Sequence, residues 1–184
     1  MTTIAKKRIS LSVGAQMIYA MIAVVCAVAL PAILHTVGSV TGLGTALGES
    51  LLPMHLPIMA VGFFAGPVAG AVAGIASPII SFLLTGMPMA GILPFFIIET
   101  CVYGVASGLL AKVETGAFVK TLAAQLAGRA VRAVAILTAV YLFDYGKIGV
   151  NVIWNSIVTG LPGIILQIAL LPMMLIILGK KQNS

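Results

Sequence analysis

The sequence predicts an all-α integral membrane protein, a single domain over residues 1–184 folded as a six-helix bundle with cytoplasmic N- and C-termini. Three observations predict it. Of 184 residues, 61% are hydrophobic and 8% charged, where soluble domains average about 25% charged. The apolar residues form long runs cut by Pro and Gly, and a bilayer crossing needs about 20 of them. Between Leu51 and Ala111 the one formal charge is Glu99, too few for anything but a set of membrane segments joined by short turns.

The first helix is expected at about 11–34. Lys6, Lys7 and Arg8 before it, and Ala27-Val28-Ala29 within it, imitate a signal peptide. The apolar run is longer than the usual 7–15 residues of a signal core, so a retained helix is the reading. His35 to Ser50, rich in Gly, Ser and Thr and carrying Glu49, is expected to be an outer loop. The second helix, about 53–65, ends at Gly66-Pro67, because Gly ends helices and Pro starts them. The third, about 68–84, contains Pro78 and ends at Thr85-Gly86-Met87-Pro88. The fourth, fifth and sixth are expected at about 90–111, 118–143 and 152–178.

Orientation follows from the basic residues. Lys6, Lys7, Arg8, Lys112, Lys120, Lys180 and Lys181 fall on one side and Lys147 on the other, which puts both termini inside. The net charge of +6 thus has a membrane explanation, and no basic patch laced with aromatics points to nucleic acid. No GxxxxGK[ST] loop is present for an ATPase. Cys26 and Cys101 both lie in apolar runs and read as small buried hydrophobes, not as a disulfide or metal pair.

The second and third helices are short for a crossing, a trait tolerated where neighbours or a cavity satisfy the backbone and common beside transporter binding sites. Gly62, Gly66, Gly70 and Gly74 recur every four residues. Pro67 divides that series between two helices, leaving Gly70 and Gly74 as a close-packing face.

Glu99, Arg129 and Arg132 lie inside spans, where ionisable groups are costly and usually functional. At 1.5 Å per residue, Glu99 sits about 13 Å from the outer end of its helix, Arg132 about 16 Å and Arg129 about 21 Å. Glu99 and Arg132 therefore match in depth, and an ion pair between their helices would relieve the cost of burial. Which of the two arginines takes Glu99 stays open, and the other is left for the bundle or for an anionic ligand group. His55, Tyr103, Trp154 and Asn155 stand at this depth or above it. Tyr103 is one turn from Glu99, Tyr141 and Trp154 suit an interfacial belt, and Gln167 suits interhelical hydrogen bonding. His55 has no metal-ligand partner at suitable spacing. No catalytic constellation is visible, and no residue is assigned as catalytic.

Pro53-Met54-His55-Leu56-Pro57, Gly62-Phe63-Phe64-Ala65-Gly66-Pro67, Ser77-Pro78 and Leu84-Thr85-Gly86-Met87-Pro88 resemble the substrate-binding (S) components of energy-coupling factor (ECF) vitamin transporters. Ala127-Gly128-Arg129 and Thr159 to Gln167 resemble their fifth and sixth helices. The resemblance implies a six-helix bundle in a prokaryotic plasma membrane, without ATPase activity of its own or a cofactor. It implies a vitamin or vitamin precursor bound near the outer face and delivery with a transmembrane T subunit and two ATPases. Ala23 and Ala27 match an Ala-xxx-Ala pattern that packs on the T subunit. The candidate substrate-binding residues are His55, Glu99, Tyr103, Arg129, Arg132, Trp154 and Asn155, and the arginines favour an anionic, pantothenate-like cargo over a pyridoxine type. The competing readings are a membrane scaffold that binds no small molecule and a self-sufficient secondary transporter, for which the expected internal inverted repeat is missing.

Overall fold

The structure, a computed structural model, describes residues 11–181, with side chains to residue 177. It is helical, with no strand among the described residues. Among the described residues five helical lengths are long and apolar enough to cross a membrane, and six if one bent pair counts as a single span. Lys6, Lys7 and Arg8, and the side chains of Lys180 and Lys181, which carry much of the orientation argument, lie outside the described residues.

Helix α1 runs over Val13–Thr41, well past the expected end at Leu34. Ser12 caps it by accepting from the Ala15 amide at 3.2 Å. The expected loop from His35 is helical because its hydroxyls bond back to the preceding turn. Thr36 donates to the Ala32 carbonyl, Ser39 to His35 and Thr41 to Val37, each at 2.9 Å. A polar side chain satisfied in this way can stay in a helix. Gly42, at φ 78°, ends α1.

The rest of that expected loop forms a short helix, α2 (Ala46–Leu51). Leu52 is left-handed at φ 48° and breaks α2 from α3 (His55–Ala65). Together they make one interrupted crossing, Ala46–Ala65, which explains how a second span that looked too short reaches across. Gly66, at φ 104°, and Pro67 turn the chain into α4 (Pro67–Thr85), as the Gly-Pro pair predicts. Helix α5 covers Leu93–Leu110 and α6 covers Ala117–Leu142.

The single sixth helix is a correction. The chain forms α7 (Asn151–Thr159) and α8 (Leu161–Lys181), bent by 56° where they meet. Pro162 has no amide hydrogen to continue the ladder, and its ring crowds the carbonyl four residues back.

Helices α3, α4 and α5 pack backbone to backbone. The series Gly62, Gly70 and Gly74 is split between α3 and α4, as Pro67 predicts, yet all three glycines converge on α5. A Cβ on Gly62 or Gly70 would run into the Gly104 carbonyl, and one on Gly74 into the Thr100 carbonyl. Thr100 uses the close approach to donate to the Gly74 carbonyl at 2.6 Å.

Helix α1 lies on the same block. Ala20, Ala23 and Ala27 are buried in one cluster with Ile58, Val61, Ala65, Ala69 and Ala73. Ala23 and Ala27, expected from the resemblance to meet a T subunit, are thus packed within the chain itself. Their small side chains seat α1 on its own α3 and α4. Cys26 is also corrected, being exposed on the outside of α1, and Cys101 is only half-buried; both are free thiols. Helix α7, by contrast, has no buried residue.

Candidate functional site

Glu99 and Arg132 reach each other from antiparallel helices. The Arg132 guanidinium donates through one terminal nitrogen to Glu99 Oε2 at 2.8 Å. One turn along α5, the Tyr103 hydroxyl donates to Oε1 at 2.9 Å. Both carboxylate oxygens are thus engaged, which a charge 1% exposed requires. Gly128 makes room for this arrangement, since a Cβ there would strike the Tyr103 ring.

A second polar chain converges on the break at Leu52. Its carbonyl accepts from the His55 amide at 3.2 Å, stands 3.2 Å from His55 Nδ1 and accepts from Gln167 Nε2 at 3.1 Å. Gln167 Oε1 in turn accepts from Gln125 Nε2 at 2.9 Å. Because a carbonyl only accepts, His55 Nδ1 carries the hydrogen in this contact, leaving Nε2 as the acceptor of a neutral ring. Nε2 is buried and has no hydrogen-bond partner. The ring is held edge-on to Phe96 and Tyr103, with centroids 5.3 and 5.1 Å away.

These two networks border a cavity of about 330 Å³ at the expected outer end of the bundle. Its walls come from the C-terminal half of α1, from α2, from the end of α4, from the starts of α3 and α5, from Arg132 of α6, and from α7 along its length. Met54, Met87, Ile92 and Phe96 give it an apolar lining, and His55, Ser81, Arg132 and Ser156 give it polar points. Glu49 also borders it and accepts from the Thr45 hydroxyl at 2.8 Å. Few polar groups around an apolar space of this size is the usual form of a small-molecule site.

A second cavity, about 410 Å³, lies deeper, between α6 and the α7–α8 pair. Glu99, Gln125, Arg129 and Arg132 reach it, and the rest of its wall is mainly Leu, Ile and Ala. Arg132 and Ser156 border both cavities.

Of the candidate residues, His55, Arg132 and Asn155 line the outer cavity, and Glu99, Arg129 and Arg132 line the inner one. Tyr103 borders neither and braces Glu99. Trp154 is a correction: it is 68% exposed and borders neither cavity, because α7 turns it outward, as the belt reading of Trp154 and Tyr141 would have it. His35, Glu49, Ser81, Phe96 and Thr159 are cavity residues that the sequence did not reveal. The signal for Glu49 was present, as the one acid in a stretch free of Lys and Arg; His35 was hidden by reading a helix as a loop. The arrangement can bind, orient and enclose a molecule. Among the described residues no three His, Cys, Asp or Glu side chains gather as a metal site would need.

The family model described as ECF transporter, substrate-specific component, matches residues 16–175. No curated protein and no solved structure matches the chain.

Proposed function

The chain belongs to the ECF transporter substrate-specific components, and from that premise we propose that it captures a vitamin or vitamin precursor in the outer cavity. It hands that cargo on with a transmembrane T subunit and two ATPase subunits, from a prokaryotic plasma membrane with both termini inside. The observation that carries the reading is the convergence of Arg132 and His55 on one apolar space of about 330 Å³.

Arg132 gives one terminal nitrogen to Glu99 and keeps a buried Nε with no partner. His55 Nε2 is likewise unpartnered. A cargo with a carboxylate or carbonyl acceptor for Arg132 and a hydroxyl or amide hydrogen for His55 would satisfy both, which fits a pantothenate-like molecule. Met87, Ile92 and Phe96 would cover its apolar body, and Asn155 would reach it from α7. Glu99 and Tyr103 act as positioning residues that hold the Arg132 fork in place. Arg129, outside this cavity, is not given a cargo contact here, and Ala23 and Ala27 are given no T-subunit contact.

The test is native mass spectrometry of gently purified protein, followed by identification of whatever small molecule denaturation releases. A stoichiometric vitamin or precursor, lost in Arg132→Gln, is the expected result. An empty protein that also binds none of a vitamin panel would overturn the reading in favour of a membrane scaffold.

A further inference from the structure

Three ionisable side chains border the inner cavity, and they do not balance. Glu99 is taken by Arg132. Arg129 makes no ion pair among the described residues, and its Nε is buried without a hydrogen-bond partner. Arg129 is twelve residues into a 26-residue helix, about 18 Å from its start and close to mid-bilayer. An excess guanidinium at that depth calls for an anion. The cavity beside it has the space, about 410 Å³, and its other walls include Leu122, Ile136, Ile153, Ile157 and Ile164.

The cavity also has a side entrance. Helix α7 buries no residue, and α8 leaves it at 56°, so the seam between α6 and α7 is not packed shut. Leu126 and Ala130, both lining the cavity, are exposed on the outer surface of α6, the surface that faces lipid in a membrane bundle. We infer that the inner cavity is a second ligand site, for the carboxylate of an amphipathic molecule that enters sideways from the bilayer. The chemical class is a long-chain monocarboxylic acid. Arg129 holds its ionised carboxylate through its planar fork, while its chain lies along the Leu and Ile walls. This site does not depend on what fills the outer cavity.

The experiment uses the full chain in lipid nanodiscs with palmitic acid carrying a diazirine on its chain, and the matching photoreactive hexadecanol as a control. The acid is expected to label segments 122–136 and 153–164 saturably. The alcohol and Arg129→Gln are each expected to lower that labelling by about tenfold or more, the effect of losing a charge-assisted hydrogen bond. A thermal unfolding midpoint close to that of the unaltered protein shows that Arg129→Gln is folded. Should it not fold, Ala130→Trp, which fills the cavity mouth and keeps every charge, is expected to block labelling. Equal labelling by acid and alcohol, or labelling unchanged by both variants, would overturn the inference. Displacement of the label by pantothenate or biotin would also overturn it, by showing that a water-soluble cargo supplies the carboxylate. Failure of vitamin binding with intact palmitate labelling would count against the outer site alone.

Discussion

The α3–α4–α5 block and the α6–α7–α8 side are built from the same apolar alphabet and reach opposite results. In the first, glycines let three backbones touch, with Gly62 and Gly70 both against Gly104. In the second, long side chains keep helices apart, and contact is made through Gln125 and Gln167 around an open cavity. Lipid is as apolar as leucine, so close packing and hydrogen bonds, not water exclusion, hold membrane helices together. The block uses packing and becomes a rigid wall. The other side uses few polar bonds and keeps room for a guest.

Substitutions can break that contrast in order of size. Gly104→Val puts a branched side chain where backbone meets backbone, and is expected to cost about 4 kcal/mol or more and to abolish folded protein in detergent. Gly146→Ala, where a Cβ meets nothing within 4 Å, should leave thermal stability unchanged. Glu99→Gln leaves Arg132 buried without its anion and should cost about 3–5 kcal/mol. The double variant with Arg132→Gln is expected to regain much of the thermal stability but not vitamin binding, separating the pair's structural role from its ligand role. Gln125→Leu removes the Gln125–Gln167 hydrogen bond and should lower stability by about 0.6–2 kcal/mol, read from thermal unfolding in one detergent. If the loss matched that of Gly104→Val, the contrast between the two halves would fail. Trp154→Leu should also be mild, within about 0.5 kcal/mol and with vitamin affinity intact, since the side chain borders neither cavity.

The crossings were legible because hydropathy and Pro-Gly punctuation act locally. So was an ion pair for Glu99 on the fifth spanning helix, because depth along two antiparallel helices is simple arithmetic at 1.5 Å per residue, but the choice of Arg132 over Arg129 depends on which way each side chain faces. What escaped depends on facing and on bonds between distant residues. Thr36, Ser39 and Thr41 look like loop residues until their hydroxyls are seen bonding to α1. Ala23 and Ala27 form a small-residue pair in any reading, yet composition cannot say whether such a pair faces a partner or its own core. The bend at Gly160 was hidden inside a continuous apolar run. The outer cavity needed the fold of α2 beneath it, and a six-residue helix leaves almost no periodic signal.

Trp154 has one more consequence. It is the chain's one tryptophan, carried on α7, whose side chains are all outside the core. Excited at its red edge, the protein therefore emits from a single indole fixed to its least anchored helix. Any docking of α7 against α6, or its release, will shift that emission in wavelength and anisotropy, so the native protein is its own fluorescent sensor of that movement without a dye or an engineered label.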